Sequence, residues 1–213
     1  MILTVKKFLI NEDNDYERMT SRVGQMRIFL DHILAGRVPN EKFGKDSVLQ
    51  YCRSLVEGQR EAAEGLAAGS WSVSPAPGEV EEEDRIDYHF FPTYIALSTL
   101  VYCAAQDPRV SEIPSYHEVL KKGFAFAVSA NLDGYGFNSL FQQLEAVLIL
   151  GSGLCPAYLL EHPDSSPALL ARLKELGAEY KERLEKNDTV LAFGGDYKKQ
   201  FTIACTLLEP LLN

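Results

Sequence analysis

The chain is short of the residues that would announce a function. Among 213 residues there is one tryptophan, and the four cysteines, Cys52, Cys103, Cys155 and Cys205, stand at intervals of 51, 52 and 50 residues. No pair therefore has the close spacing of a zinc knuckle or a dithiol redox motif. An even count permits two disulfides, but a chain this long with no secretory signal needs no staples, and buried reduced thiols are the expectation. Positive charge is also scarce. Twenty-one basic against 30 acidic residues leave a formal charge of −9, which removes the electrostatic footprint that nucleic acid or an anionic membrane surface requires. Long apolar runs are missing too: the longest nearly uncharged stretch, Phe90 to Gln106, is shorter than a bilayer needs and is broken by Pro92, Thr93 and Ser98. The N-terminus has no small-residue cleavage site. These absences predict a soluble, cytoplasmic, acidic protein with no nucleic-acid or membrane partner. Gly194-Gly195-Asp196 lacks the preceding strand and the following Lys-Ser/Thr of a phosphate loop, and no Gly-x-Ser-x-Gly elbow is present. No cofactor motif and no metal-ligand set is expected.

What the chain does have is helical periodicity. The 46% of hydrophobic residues can build a real core, and a single helical domain over residues 1–213 is expected. Residues 1–11 alternate weakly and carry no assignment. Tyr16, Met19, Val23, Met26, Leu30 and Ile33 then follow at steps of three and four, which places them on one helix face ending at Gly36, within an N-terminal unit of residues 1–40. A second helix is predicted from Ser47, with Gln50 as its capping-box partner, through Leu49, Cys52, Val56, Ala63 and Leu66 to Gly69-Ser70-Trp71. Its outer face carries Arg53 with Glu57 and Arg60 with Glu64, each four apart. Residues 72–84, with Pro75, Pro77, Gly78 and a run of acids, are too polar and too broken for regular structure, and one flexible loop is expected there.

Phe90 to Gln106 is apolar on nearly every side and belongs in an interior, closed by Asp107-Pro108. A capping box Ser115-Tyr116-His117-Glu118 opens an amphipathic helix through Leu120, Phe124, Ala127 and Val128. Asn138 to Leu150 reads as a second buried helix, stopped at Gly151-Ser152-Gly153. Ser166-Pro167 starts a third amphipathic helix through Leu169, Leu173, Leu176, Tyr180 and Leu184, and Lys198 to Leu212 completes the chain.

Residues 44–212 thus pair an amphipathic helix with an apolar one three times, across glycine turns carrying an aromatic. The turns align as Gly69-Ser70-Trp71, Gly134-Tyr135-Gly136-Phe137 and Gly194-Gly195-Asp196-Tyr197, 66 residues separating Trp71 from Phe137 and 60 separating Phe137 from Tyr197. No single hairpin can bury its own face, so neighbours must stack. The fold class expected is all-α: stacked helical hairpins forming a bundle, an arc or a partial α/α toroid. The segments Gly58-Gln59 to Gly69-Ser70-Trp71 and Lys122-Gly123-Phe124 to Gly134-Tyr135-Gly136-Phe137 resemble the glutamine-and-tryptophan turn repeats of terpenoid cyclases and protein prenyltransferases and, more loosely, the hairpins of six-hairpin glycosidases, over roughly residues 45–212. The resemblance implies inner helices wrapped by outer ones. The chain departs from those enzymes in having no protonating acidic cluster, since Glu79 to Asp84 fall in the loop, no Asp, Cys, His set for a catalytic zinc, and too few hairpins to close a ring.

In such an arc the inner helices begin at the concave end, where free N–H groups meet a ligand. The residues there are Asp87, Tyr88, His89 and Tyr94; Asp133, Tyr135, Asn138 and Gln142; and Asp196, Tyr197 and Gln200, with Trp71 on the first turn. Capping accounts for the aspartates before catalysis does. Aromatics after a glycine turn wedge hairpins together before they serve as a ligand platform. Glu145 interrupts Leu144, Ala146, Val147 and Leu148, so its carboxylate must be paired, at a rim, or perturbed. Three functions are expected, in this order. The first is binding of a small polar ligand or a peptide at the concave end. The second is glycosidase- or cyclase-type catalysis using Asp87 and Glu145 as acid and base, with His89. The third is assembly as a homodimer through the first helix.

Overall fold

Among the described residues, helices account for nearly all of the regular structure. The computed structural model describes residues 22–60, 68–71, 85–130, 139–191 and 195–213. The expectations for residues 1–11, Tyr16, Met19, Ala63, Leu66, the 72–84 loop, Asp133, Tyr135 and Asn138 fall outside them, as do the side chains of Val23, Asp87, Tyr88 and His89. Eight α-helices lie among the described residues: α1 Arg22–Leu34, α2 Lys45–Glu57, α3 Arg85–Gln106, α4 Tyr116–Ala130, α5 Ser139–Ser152, α6 Cys155–Glu161, α7 Pro167–Glu185 and α8 Lys198–Leu212. The only pairing of strand type among them is an isolated bridge between Val190 and Asp196. The fold is all-α, and no single described helix is long and apolar enough to cross a membrane.

Several elements start or stop where local chemistry dictates. The face carrying Leu30 and Ile33 on α1 is buried, and Gly36 ends the helix at φ 66°. Leu30 and Ile33 are thereby spent on the chain's own core. Ser166 accepts from the Leu169 amide at 3.3 Å and Pro167 takes the first helical position, as expected for α7.

Other boundaries differ from expectation, each for a reason. Helix α2 begins at Lys45 behind Gly44, two residues before Ser47, so the Ser47–Gln50 capping box is not its start. It also stops at Gly58 rather than running to Gly69. The Arg60 amide donates to Ser70 O at 2.9 Å and the Gly69 amide to Arg60 O at 3.0 Å, while Gln59 Nε2 donates to Gly69 O (3.0 Å) and Val119 O (2.8 Å). These long-range bonds satisfy groups that a continuing helix would have used. Gly69 takes φ 82°, and a Cβ there would stand 2.6 Å from Lys122 O, so no other residue fits that approach. The capping box at Ser115 is also not formed: Ser115 has φ 65°, its carbonyl accepts from the Val119 amide, and Glu118 pairs forward with Lys122 at 2.9 Å. Helix α6, turning 65° from α5 after Leu154 at φ 64°, was not anticipated at all.

Packing follows the apolar pattern. Helix α3 borders α1, α2, α4, α5 and α6; α5 borders α3, α6 and α8; α8 borders α5, α6 and α7. One buried cluster joins them, with Leu97, Leu100, Val147, Ile149 and Leu150 at its heart. Polar side chains inside it are spent on carbonyls: Ser98 Oγ donates to Ile149 O at 2.9 Å and Thr99 Oγ1 to Ile95 O at 2.7 Å. Helices α3 and α4 run antiparallel, since Phe90 meets Phe126, Leu97 meets Gly123 and Tyr116 Oη donates to Leu100 O. Helices α7 and α8 do the same, with Tyr180 on Phe201 and Gly177 against Leu212. Helices α5 and α8, by contrast, are parallel, because Phe141 meets Tyr197 near their starts and Gly151 meets Leu207 near their ends.

Candidate functional site

Two helices that start side by side bring their first turns to one end of the protein, and α5 and α8 do so here. Phe141 stands edge-on to Tyr197 with ring centroids 5.6 Å apart, and Phe141 remains 42% exposed. One turn further in, Tyr180 Oη donates to Gln143 Oε1 at 3.0 Å while its ring packs 5.1 Å from Phe201. Gln142 is half-buried in the same turn of α5.

Among the described residues, two buried side-chain polar atoms have no hydrogen-bond partner: Tyr94 Oη on α3 and Gln200 Oε1 in the first turn of α8. Both residues were expected where an inner helix begins; Gln200 does stand there, but α3 begins at Arg85 rather than at Phe90, which puts Tyr94 in its third turn. Tyr94 is 1% exposed, with Phe91 edge-on at 6.4 Å, and burial alone pushes its phenol above the ordinary range. It is a protonated donor with nothing to donate to. A buried donor left in this state costs about 1–3 kcal/mol, so it calls for an explanation.

The other nominated residues sort into three groups. Trp71 is buried: its indole N–H donates to Leu55 O at 2.6 Å, its amide donates to Thr93 Oγ1 at 3.0 Å, and its ring fills the space above Gly123. It is a wedge between α2, α3 and α4, and not a ligand platform. Asp196 accepts from Thr189 Oγ1 at 2.7 Å and from the Lys198 amide at 3.0 Å, which ties the turn before α8 to that helix's start. Those two bonds, with the Lys198 charge, hold its carboxyl below the usual carboxylate range. Because the folded value is the lower one, the stabilisation is present at neutral pH and is lost as pH falls through about 4 and then through the depressed value. Asp196→Asn is therefore expected to lower the melting temperature at pH 7 and to match the parent chain at an acid pH below the depressed value, where the Asp196 carboxyl is protonated folded and unfolded alike. Melts followed by circular dichroism at the two pH values check this, and a gap that persists in acid would assign the effect to something other than charge. Asp87, Tyr88 and His89 fall on the first turn of α3, where only the backbone is described.

Glu145 is paired. Its Oε1 lies 3.6 Å from Arg27 Nη1, and Arg27 Nε lies 3.3 Å from Asp31 Oδ1 one turn along α1. Arg27 and Asp31 are buried, while the Glu145 side chain is 34% exposed. The cluster fastens α1 to α5. Sequence reading found the anomalous carboxylate but not its partner, although Arg27 and Asp31 at i and i+4 on a helix with a buried face were the available signal.

Cys52, Cys103 and Cys155 are buried and unbridged, as expected, whereas Cys205, expected to be buried as well, is unbridged but half-buried. The hydrogen bond between the Cys52 and Cys103 thiols, together with burial, pushes the Cys52 thiol up, and burial pushes Cys155 up to about 12. Among the described residues no group of three or more His, Cys, Asp or Glu is placed to hold a metal ion. The unpartnered polar groups are neutral ones: Tyr94 Oη in the third turn of α3 and Gln200 Oε1 in the first turn of α8. Comparison of the chain with family models, with curated proteins and with solved structures gives no match.

Proposed function

We propose that this chain is a binding protein that takes a small polar ligand or a peptide at the end where α5 and α8 begin, with α3, α5 and α8 as the inner helices of a partial α/α arc. The observation that carries the reading is the pair of buried groups left without partners, a phenol donor at Tyr94 and an amide acceptor at Gln200. A polar ligand that accepts from Tyr94 or donates to Gln200 restores a missing bond, and the aromatic edge of Phe141 and Tyr197, at the start of α8 beside Gln200, gives the second group an apolar border. The parallel course of α5 and α8, and the antiparallel pairings of α3 with α4 and of α7 with α8, support the arc. The pairing of Glu145 with Arg27 gives that carboxylate a structural task, so binding is preferred to catalysis by a carboxylate pair. The buried thiols suit a reducing, cytoplasmic setting.

The test has two parts. In the free protein, Tyr94→Phe is expected to leave stability unchanged or raise it slightly, because the hydroxyl removed has no bond to lose; a loss of about 1 kcal/mol or more in urea denaturation would show the hydroxyl to be structurally bonded. A thermal-shift panel of neutral polyols, primary amides and tripeptides is then expected to contain compounds that raise the melting temperature of the parent chain but not of Tyr94→Phe or Gln200→Leu. A panel with no such compound would count against the reading.

A further inference from the structure

At a different place in the fold, two of the chain's four histidines come together. His117 stands in the first turn of α4 and His162 directly follows α6, and their ring centroids are 6.1 Å apart with planes at 60°. Tyr158 lies against both. Its ring is 4.5 Å from that of His162, and its hydroxyl is 3.2 Å from His117 Nδ1. The same hydroxyl bonds the Ser165 side chain, and the ring packs 5.9 Å from the fully buried Phe124.

The imidazoles are exposed but their mountings are not. His117 rests edge-on against Tyr116 at 5.1 Å, and Tyr116 is buried with its hydroxyl donating to Leu100 O. His162 is held through its backbone on both sides: its amide donates to Tyr158 O at 2.8 Å, and its carbonyl accepts from the Ser165 amide at 2.9 Å. Two rings from distant parts of the sequence are thus fixed next to each other on a rigid base, which is what a preorganised ligand pair requires.

The spacing suits one ion. Two imidazole nitrogens at about 2.0–2.1 Å from a shared metal put their ring centres roughly 5–6.5 Å apart, for coordination angles from tetrahedral to linear. With His117 Nδ1–H donating to the Tyr158 hydroxyl oxygen, Nε2 is the unprotonated nitrogen left for coordination, the outer-shell arrangement that orients the ring at metal sites. We propose that His117 and His162 bind a late first-row divalent cation of the zinc and nickel class, with Tyr158 as the positioning residue. Imidazole selects that class over magnesium or calcium. Two protein nitrogens are fewer than a closed structural site has, so water or an outside ligand fills the remaining positions, and the bound ion clamps α4 to α6.

The experiment uses the full chain without an affinity tag and Ni2+ as the probe. Calorimetric titration is expected to give one Ni2+ per chain. Its affinity should fall at least a hundredfold in His117→Ala and in His162→Ala, and about tenfold in Tyr158→Phe. Zn2+ is expected to compete. A His32→Ala/His89→Ala variant should bind as the parent does. Because every variant carries its own folding risk, the parent chain is also read directly: paramagnetic Ni2+ should broaden the imidazole signals of His117 and His162 in proton–carbon spectra before those of His32 and His89. Binding that survives loss of His117 and His162, broadening that follows His32 or His89 instead, or no saturation by millimolar Ni2+ overturns the proposal.

Discussion

Replacing Gly153 by alanine is expected to destabilise the folded chain by about 3 kcal/mol or more, at the upper end of what overpacking a core costs. Gly153 follows the end of α5, where its amide still donates to Ile149 O at 3.1 Å. A Cβ added there would fall on the Cβ and Cα of Ser98, and 2.7 Å from Ser98 Oγ. Two of those three atoms cannot rotate away. Ser98 is the residue through which α3 meets α5, since its hydroxyl donates to Ile149 O, so the extra methyl must push apart the two most buried helices. Trimming the neighbour does not repair this: Ser98→Ala removes the hydroxyl but leaves Cβ and Cα in place, and it gives up the bond to Ile149. Gly151 is the contrasting case. A Cβ there meets Leu207 at 2.8 Å from its Cβ, which cannot rotate away, and 2.9 Å from Cδ1, which can. Both overlaps are smaller than those on Ser98 Cβ and Cα at 2.2 and 2.4 Å, and Leu207 is only half-buried at the edge of α8. Gly151→Ala is expected to cost about 1 kcal/mol, clearly less than Gly153→Ala. Urea denaturation of both variants beside the parent gives the comparison, and equal losses would mean that the approach of α3 to α5 is looser than these distances say.

That close approach marks a limit of sequence reading in this chain. Gly151-Ser152-Gly153 reads as a break, because glycine weakens a helix, yet α5 continues through Ser152 and the glycines serve neighbouring helices. What was legible came from periodicity. The apolar stretches around Leu97 and Leu148 are inside, and the charged faces of Lys174, Glu175, Lys181 and Glu182 on α7 are outside, because an apolar side chain has the same preference whatever its partner. What was illegible depended on partners far along the chain. The periodic Ala63 and Leu66 invite α2 to run to Gly69, but the amide of Gln59 and the backbone of Arg60 bond Gly69, Ser70 and Val119 instead. Helix α6 is seven residues, too short to show a period, and follows a Gly-Ser-Gly run that reads as loop. The candidate site divides in the same way. Gln200 was found by its place at the start of an apolar helix and Tyr94 by the same argument from a helix start set five residues too late, whereas the His117–Tyr158–His162 contact joins two helices and leaves no trace in spacing.

Arg27→Met is expected to cost about 3 kcal/mol, whereas Glu145→Gln costs under about 1 kcal/mol, although both break the same ion pair. The difference lies in what each change leaves behind. Arg27 is 8% exposed and serves two carboxylates, Asp31 at 3.3 Å and Glu145 at 3.6 Å. Removing it takes a charge partner from the buried Asp31, whose charge is then held where water screens poorly, and one from the partly exposed Glu145, which water reaches. Removing the Glu145 charge instead leaves Arg27 with Asp31, and the vacated edge of α5 is wet enough for water to serve the new amide. The double variant is expected to recover part of the loss from Arg27→Met, a coupling of roughly 0.5–1 kcal/mol. Denaturation of the four chains closes this cycle. Equal costs for the two single changes would mean that Glu145 is held as tightly as Asp31, and that its exposed edge carries no freedom to act. With the inequality, Glu145 can be altered without unfolding the protein. Glu145→Gln is then the variant that decides whether this carboxylate only ties α1 to α5 or also reaches the ligand end: in the first case the compounds that stabilise the parent chain stabilise Glu145→Gln equally, and in the second they do not.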